Sequence, residues 1–530
     1  MFLTEDLSHY KLYDLSCEFF TSFKCSRGLC SRRSQSCRLS LNVAVDKGMS
    51  CSHYPYLYFL EKTGLKVGPG RIQWCTTVVN SYFQKIVRYN PNFWRRWFAL
   101  GVWVTCLMLP VAVYLVASTT VSNLWKKNQL DNHNLSPSLE PMIPGVNLPL
   151  GDLNYYLSAI AISSVVHEAG HAFAAQREGV QVSGFGFCIF LILPAAYVLL
   201  SSNQVQALPS CRSLRISTAG VWHNTVLSLL AYATVILMPH FVSPFYSQGT
   251  GVYVVGFSED SPLRGSTGFY HGDIIVNVNN NCDVKNKLDW KQCISDTLSE
   301  NNERLGFCIG INFLLENTSP TAFKDLLADS TNCCPNYKSE HLCFTTTFPE
   351  DIVKQVSDLD RTLLKKNCLP ARKVIEESGI SCRTHTSCPS SKPLCIHPLL
   401  ANDTHLLAIR RTTEEPNQPK LVIFLGHPAE IWWGVQVSDF IPRFRFISLF
   451  ASRLPDISLL LMKYIAILSS GLALINMLPI FMFDGQYIIT DILLYFLIRF
   501  ISRDVVEKIA KLLLISCSIL FIACLVSYLF

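Results

Sequence analysis

Long apolar stretches with almost no charged residue constrain this fold more than any other feature of the sequence. The clearest run from Trp97 to Val121, from Ile216 to Met238 and from Ile509 to Phe530. Each is long enough to cross about 30 Å of hydrocarbon as a helix. Of the 530 residues, 49% are hydrophobic and only 16% are charged. These proportions indicate a multi-pass membrane protein, and we expect the lipid bilayer to be its surroundings.

A further apolar stretch, from Leu153 to Ala175, carries ionisable groups in the pattern His167-Glu168-x-x-His171. On a helix, residues four apart share a face, so the two imidazoles can point at one metal ion. Glu168 lies beside them and can take a proton from a water that the metal activates. Ordinary core histidines are the alternative, but in hydrocarbon each polar group would need a partner. The pattern therefore predicts a metal hydrolase that works within a bilayer.

A catalytic zinc needs a third protein ligand and one open position. Asp484 closes the apolar run that begins near Ile457, and it is the only acid between Asp456 and Asp491. Two histidines and one carboxylate form a common ligand set for catalytic zinc. The alternative is that Asp484 and Gly485 only make a turn at the membrane interface.

The long insertion at residues 240–450 looks soluble and rich in cysteine. Ten of the 21 cysteines lie between Cys282 and Cys395. The even count predicts disulfides on the oxidising, lumenal side of a secretory membrane, with the pairing left open. Two glycosylation acceptor sequences, at Asn317 and Asn402, fit the same side.

A lumenal insertion fixes the direction of the spans that flank it. The span at 216–238 then runs from cytosol to lumen, and the span at 457–483 runs back, which leaves Asp484 toward the cytosolic side. The glycines, aromatics and proline of 182–200 favour a re-entrant or strand-like segment over a helix. With 182–200 re-entrant, the two imidazoles end at a similar depth to Asp484.

Shorter stretches complete the predicted organisation. Residues 251–256 and 273–278 alternate like strands. The net charge of +6 is modest, and its lysines and arginines lie in short juxtamembrane clusters, so direct nucleic-acid binding is not expected. The predicted domains are a poorly defined N-terminal region (1–90), a transmembrane span (91–125), the first half of a catalytic membrane core (150–240), the insertion (241–450), and the second half of the core with a C-terminal span (451–530).

Taken together, these motifs resemble the site-2 proteases, a family of intramembrane zinc metalloproteases. The resemblance covers most of the chain from about residue 52, and Phe483 stands where the family usually has leucine. It rests on His167-Glu-x-x-His171, Gly220-x-x-x-Asn224 and Asn476-x-x-Pro-x-x-x-x-Asp484-Gly485.

The resemblance implies a multi-pass α-helical membrane protein with a lumenal PDZ-like, cysteine-rich α+β insertion. Zn²⁺ would be held by His167, His171 and Asp484, with Glu168 as the catalytic base. Asn224 would help to hold the substrate or the oxyanion, and ordinary helix–helix hydrogen bonding is the alternative for this residue.

The resemblance also implies the substrates. These are membrane-anchored transcription factor precursors, such as sterol regulatory element-binding proteins and factors of the unfolded-protein response, already cut once in the lumen of the Golgi or endoplasmic reticulum. The alternative functions are a non-catalytic multi-pass scaffold and a zinc-binding transporter. A transporter would be expected to carry ionisable residues in several spans, and a scaffold would be expected to lack one of the four catalytic side chains.

Overall fold

The structure is a computed structural model, and it describes most of the chain from residue 63 onward. The described residues are 2–4, 63–126, 142–299, 306–317, 334, 341–347, 366–400, 404–412 and 420–529, apart from 69, 259–260, 262 and 265–267. They divide into two compact units. The membrane unit is drawn from residues 1–236 and 459–530, and the cysteine-rich unit from residues 237–458.

Helices account for most of the membrane unit. In chain order the helices of both units are α1 (Asn80–Tyr89), α2 (Pro91–Lys126), α3 (Leu153–Glu178), α4 (Ser202–Gln206), α5 (Ser210–Val242), α6 (Lys287–Ser299), α7 (Ile311–Asn317), α8 (Ala371–Ser378), α9 (Pro428–Gly434), α10 (Arg445–Phe450), α11 (Leu454–Met477), α12 (Gly485–Leu497) and α13 (Arg503–Leu529).

Strands build one sheet in the membrane unit and the sheets of the cysteine-rich unit. In chain order they are β1 (Phe2–Thr4), β2 (Leu65–Gly68), β3 (Arg71–Thr76), β4 (Val182–Phe190), β5 (Leu193–Leu200), β6 (Tyr246–Ser247), β7 (Val252–Phe257), β8 (Ile274–Val278), β9 (Cys282–Asp283), β10 (Gly306–Ile309), β11 (His341–Thr347), β12 (Lys366–Pro370), β13 (Ser381–Cys382), β14 (Leu394–Pro398), β15 (His405–Thr412), β16 (Leu421–Gly426), β17 (Val435–Ser438) and β18 (Ile441–Pro442).

Four helices of the described residues are long and apolar enough to cross a membrane: α2, α5, α11 and α13. The prediction of a multi-pass helical membrane protein is confirmed at that level. Helix α12 is apolar but shorter. Within the membrane unit, buried apolar residues of α2, α5, α11, α12 and α13 pack into one core cluster.

Helix α3 confirms the predicted helix at 153–175, but it is not one of the four membrane-crossing candidates. The end that carries the His-Glu-His pattern is buried inside the protein. There, Ala172, Ala174 and Ala175 pack with Phe185 and other residues of the adjoining sheet. The polar groups of α3 are therefore surrounded by protein, which can supply hydrogen-bond partners that lipid cannot.

The segment 182–200 is a hairpin of β4 and β5, which confirms the strand-like alternative. The sheet has the order β1-β5-β4-β3-β2, antiparallel except for the β1–β5 pair. Helix α3 lies against β5, where the Ala196 amide donates to Ser164 Oγ at 2.6 Å. The sheet therefore sets the position of one side of α3.

The predicted span at 457–483 is wrong at its C-terminal end, because α11 ends at Met477. Pro479 lacks an amide hydrogen, and its ring disfavours helical backbone at Leu478. The chain then turns, with Met482 at a φ of +74°, before α12 begins at Gly485. The last helix also begins earlier than predicted, at Arg503.

The cysteine-rich unit contains two main sheets, with the orders β12-β11-β14-β10-β13 and β16-β15-β8-β7-β17. Strands β7 and β8 confirm the two alternating segments. The sheet that contains them encloses a buried ion pair between Arg411 and Asp273. Its PDZ-like character stays a prediction.

Disulfides cross-link this unit, as the cysteine count predicts. Bonds between described residues join Cys282 to Cys293, Cys308 to Cys388, Cys334 to Cys368, and Cys382 to Cys395, and Cys343 is also disulfide-bonded. Of the two glycosylation candidates, Asn402 lies outside the described residues. Asn317 is the last residue of α7, and its Nδ2 donates to the Phe313 carbonyl at 2.9 Å.

Candidate metal centre

The two histidines of α3 are one turn apart on the same buried face of the helix. His171 is fully buried and His167 is 3% exposed. Their ring centroids are 4.8 Å apart, and their Nε2 atoms approach to 3.3 Å. The four-residue spacing of the two histidines therefore places their imidazoles as the sequence predicts, because both rings direct Nε2 at one point.

Asp484 reaches that point from the turn between α11 and α12. Its Oδ2 lies 2.9 Å from His167 Nε2 and 3.0 Å from His171 Nε2, and the residue is 1% exposed. Gly485 makes this turn possible, because a Cβ there would lie 1.9 Å from the Leu478 carbonyl oxygen. The chain can thus fold back tightly enough to deliver the carboxylate, and the interface-turn alternative does not describe its surroundings.

The three side chains fit a metal ion. Their ligand atoms all lie within 4.8 Å of one another and all three residues are buried. Ligand atoms bound at about 2.0–2.1 Å in a tetrahedron are about 3.3 Å apart, close to the 2.9–3.3 Å found here. In the described part of the chain the other such group is Cys308, Cys382 and Cys388, whose sulfurs are in disulfides.

The other ring nitrogen of His171 fixes which tautomer this residue adopts. His171 Nδ1 lies 2.8 Å from the Ile216 carbonyl oxygen on α5. A carbonyl can only accept, so Nδ1 carries the hydrogen and donates it. The lone pair is then on Nε2, the nitrogen that faces Asp484, as a metal ligand requires.

Glu168 is held by the backbone of β5. Its Oε2 accepts a hydrogen bond from the Val198 amide at 3.2 Å, and the residue is 3% exposed. This bond restrains a buried carboxylate next to the first histidine in sequence. The arrangement suits a group that must accept and return a proton in a fixed position, and its catalytic role stays a prediction.

Asn224, on α5, contacts His167 from the side away from Asp484. Its Nδ2 lies 3.2 Å from His167 Nδ1, whereas Asp484 is next to Nε2. Its Oδ1 is buried and finds no hydrogen-bond partner in the part of the chain that the structure describes. Asn224 therefore lies at the candidate metal centre, as predicted. Its amide contacts the ring of His167, a candidate ligand.

Two glycines let α3 and α5 come close enough for these contacts. A Cβ on Gly220 would lie 2.4 Å from His171 Nε2 and 2.7 Å from His167 Nε2. A Cβ on Gly170 would lie 2.7 Å from the Ala219 carbonyl oxygen. Any side chain at Gly220 would enter the metal centre itself.

His223, which the sequence leaves unassigned, is not part of the ligand group. Its Nδ1 lies 2.8 Å from the Ala219 carbonyl of its own helix, and its ring stacks on Phe173. It packs in the α3–α5 contact instead.

Sequence reasoning missed the two backbone groups of the site, the Val198 amide and the Ile216 carbonyl. Every residue except proline carries the same backbone donor and acceptor, so no sequence pattern could have identified these two groups. Gly170 was also missed, although the small residues around it on α3 were a usable signal for close helix packing.

Comparison with known proteins agrees with this geometry. The model of Peptidase family M50 matches residues 155–414. Residues 155–414 are identified as an M50 peptidase domain. A similar protein is the membrane-bound transcription factor site-2 protease homolog of Arabidopsis thaliana, 24% identical over 460 residues that cover 78% of this chain and 84% of the relative.

The M50 domain and the similar site-2 protease homolog together support a metalloendopeptidase. The matched range begins in α3 and includes both histidines and Glu168. Asp484 lies beyond it, so the grouping of this carboxylate with the M50 histidines depends on the geometry described above.

Proposed function

We propose that this protein is a zinc-dependent intramembrane endopeptidase that cleaves membrane-anchored transcription factor precursors within a transmembrane segment, after a first cut in the lumen. The observation that carries the proposal is the convergence of His167, His171 and Asp484, with Glu168 as the neighbouring carboxylate. These buried side chains belong to a protein whose described residues include four helices long and apolar enough to cross a membrane.

The ligand set supports zinc as the metal. Two imidazole nitrogens and one carboxylate oxygen leave one tetrahedral position open, as catalytic zinc sites do. Zinc bound there would activate water and polarise the scissile carbonyl as a Lewis acid. The buried carboxylate of Asp484 would be neutralised in part by the ion.

Glu168 would handle the proton. Its carboxylate takes a proton from the attacking water and later delivers it to the leaving amine. The hydrogen bond from the Val198 amide restrains this carboxylate in position. A buried position also keeps competing water away from this exchange.

A substrate helix would have to unwind locally before cleavage, because its peptide bonds are shielded by their own hydrogen bonds. Precursors shortened by a lumenal cut would enter most readily, and the cysteine-rich unit would act as a PDZ-like size filter on the lumenal side. We assign the protein to Golgi and endoplasmic reticulum membranes, where disulfides form and such precursors reside.

The test is release of a membrane-tethered reporter in cells that lack the endogenous activity. We expect Glu168→Gln to abolish release and Glu507→Gln, the same change at a partly exposed residue of α13, to leave it intact. Reporters with and without a prior lumenal cut test the order of cleavage. Equal release by wild type and Glu168→Gln would defeat the protease assignment.

Zinc itself is tested on purified protein. The wild type should bind about one zinc per chain, and His167→Ala and Asp484→Ala should each lose it. Full zinc binding by Asp484→Ala would remove this carboxylate from the ligand set.

A further inference from the structure

Both candidate histidine ligands have a partner at Nδ1, but the two partners differ in kind. His171 Nδ1 faces the Ile216 carbonyl at 2.8 Å, and that acceptor permits a single tautomer. His167 Nδ1 faces the side-chain amide of Asn224 at 3.2 Å. An amide has a donor end and an acceptor end, so it can pair with either tautomer of an imidazole.

As the amide lies in the structure, Nδ2 donates to His167 Nδ1. The hydrogen of His167 is then on Nε2, where the Asp484 Oδ2 at 2.9 Å accepts it. The Asn224 Oδ1 has no hydrogen-bond partner among the described residues, although Asn224 is fully buried. This arrangement satisfies His167 without a metal, but it leaves no lone pair on Nε2 for one.

A half-turn of the amide about χ2 exchanges its two ends without changing its shape. Oδ1 would then accept a hydrogen bond from Nδ1–H of His167, and the lone pair would be on Nε2 between His171 and Asp484. This is the pairing that metal-bound histidines commonly have, with the second ring nitrogen donating to an oxygen.

We propose that Asn224 is a positioning residue whose amide turns to hold His167 in the metal-binding tautomer. The inference rests on the proposed function only in that a metal binds at His167, His171 and Asp484. It differs from the substrate or oxyanion role predicted from sequence, because the amide contacts the back of a ligand ring.

Two substitutions at this position separate the possibilities. Asn224→Asp keeps an acceptor and removes the donor, so it should hold the metal-binding tautomer and bind zinc at least as tightly as wild type. Asn224→Leu keeps the size and removes both ends, so zinc affinity should fall about 10- to 100-fold. Thr225→Val is the matched control, because the Thr225 hydroxyl donates to the Val221 carbonyl of its own helix.

The measurement is zinc affinity of the purified full chain by competition with a chromogenic chelator, together with the absorption spectrum of the Co²⁺-loaded protein. We expect the Asn224→Asp and Thr225→Val spectra to match wild type, and the Asn224→Leu spectrum to change. Wild-type affinity in Asn224→Leu would overturn the proposal, and so would equal weakening in both Asn224 variants.

Turnover distinguishes positioning from oxyanion binding. A carboxylate cannot donate a hydrogen bond, so an oxyanion role predicts that zinc-loaded Asn224→Asp loses about 10²- to 10³-fold in kcat. Retained kcat supports positioning, and such a loss contradicts it. Failure of the wild type to bind any metal would instead count against the proposed function.

Discussion

Gly220 lies against both histidines of the candidate metal centre and leaves no room for a side chain. The Cβ of an alanine there would lie 2.4 Å from His171 Nε2 and 2.7 Å from His167 Nε2, nearer than atoms can pack. Both rings are held from behind, by the Ile216 carbonyl and by Asn224, so neither can move away easily. One added carbon would therefore displace the ligands.

We predict that Gly220→Ala lowers zinc content from about one per chain to near zero. Gly471→Ala is the control, because Gly471 lies in α11 and a Cβ there meets nothing within 4 Å. Metal analysis of the two purified variants measures their zinc content, and circular dichroism verifies that their helix content is unchanged. Wild-type zinc content in Gly220→Ala would mean that the rings are more mobile than their contacts indicate.

Residue identity predicts the ligands but not the groups that hold them. His167, Glu168, His171 and Asp484 are recognisable because ionisable side chains are rare in apolar stretches. The backbone atoms that orient them belong to Val198 and Ile216, two apolar residues with no distinguishing feature in the sequence. The position of Asn224 behind a ring likewise depends on the contact between two helices.

The turn between α11 and α12 is the element that brings the distant carboxylate into the site. Its tightness requires glycine at 485, where a Cβ would lie 1.9 Å from the Leu478 carbonyl oxygen and 2.7 Å from that of Met477. The apolar pattern continues through this turn to Phe483, which is why hydropathy alone extends the helix too far. Proline at 479 was the available signal for its end.

We predict that Gly485→Ala reduces zinc affinity by at least about tenfold, because the turn must open and carry Asp484 away from the histidines. Phe483→Leu, next to the ligand in sequence, should bind zinc as wild type does, because it keeps an apolar side chain. Chelator competition on both variants measures the difference. Unchanged affinity in Gly485→Ala would show that the turn can relax without moving the carboxylate.

Disulfides stabilise the cysteine-rich unit by different amounts, because they close loops of different length. The Cys308–Cys388 bond spans 80 residues and the Cys282–Cys293 bond spans 11. Loop-closure entropy then gives about 4.5 kcal/mol for the longer loop and about 2.8 kcal/mol for the shorter one.

Replacing both cysteines of a pair by alanine should therefore destabilise this unit more for Cys308 and Cys388 than for Cys282 and Cys293. Limited proteolysis of the full chain at rising temperature reports the loss of structure in this unit. The reverse order, or equal shifts, would show that packing around the bonds outweighs chain entropy.

At the scale of the whole molecule, composition predicts a multi-pass membrane protein, but it does not predict whether α3 crosses the membrane or is buried within the protein. The run at 153–175 looks like a span because it is apolar, yet α3 is wrapped by the sheet and by other helices. Hydropathy cannot separate burial in lipid from burial in protein, since both exclude water. The ionisable residues of α3 were the clue that protein surrounds it.

The two sides of the membrane can be told apart by cysteine chemistry. Helix α5 leads into the cysteine-rich unit and α11 leads out of it, so residues before α5 and after α11 should face the opposite compartment. Cys211, at the start of α5, is an exposed free thiol, whereas Cys308 and Cys382 are in disulfides. Disulfides form and persist in oxidising compartments and are rare in the cytosol.

We predict that a membrane-impermeant maleimide labels Cys211 in sealed microsomes, whose cytosolic face is outward. After treatment with an impermeant reductant, Cys308 and Cys382 should become labelled only when detergent opens the vesicles. Peptide mapping by mass spectrometry assigns each label, and Cys211→Ser is the control for the first site. Labelling of Cys308 and Cys382 in sealed, reductant-treated vesicles would put the cysteine-rich unit on the cytosolic side. It would also exclude a lumenal size filter, because the unit would then be absent from the compartment where the first cut is made.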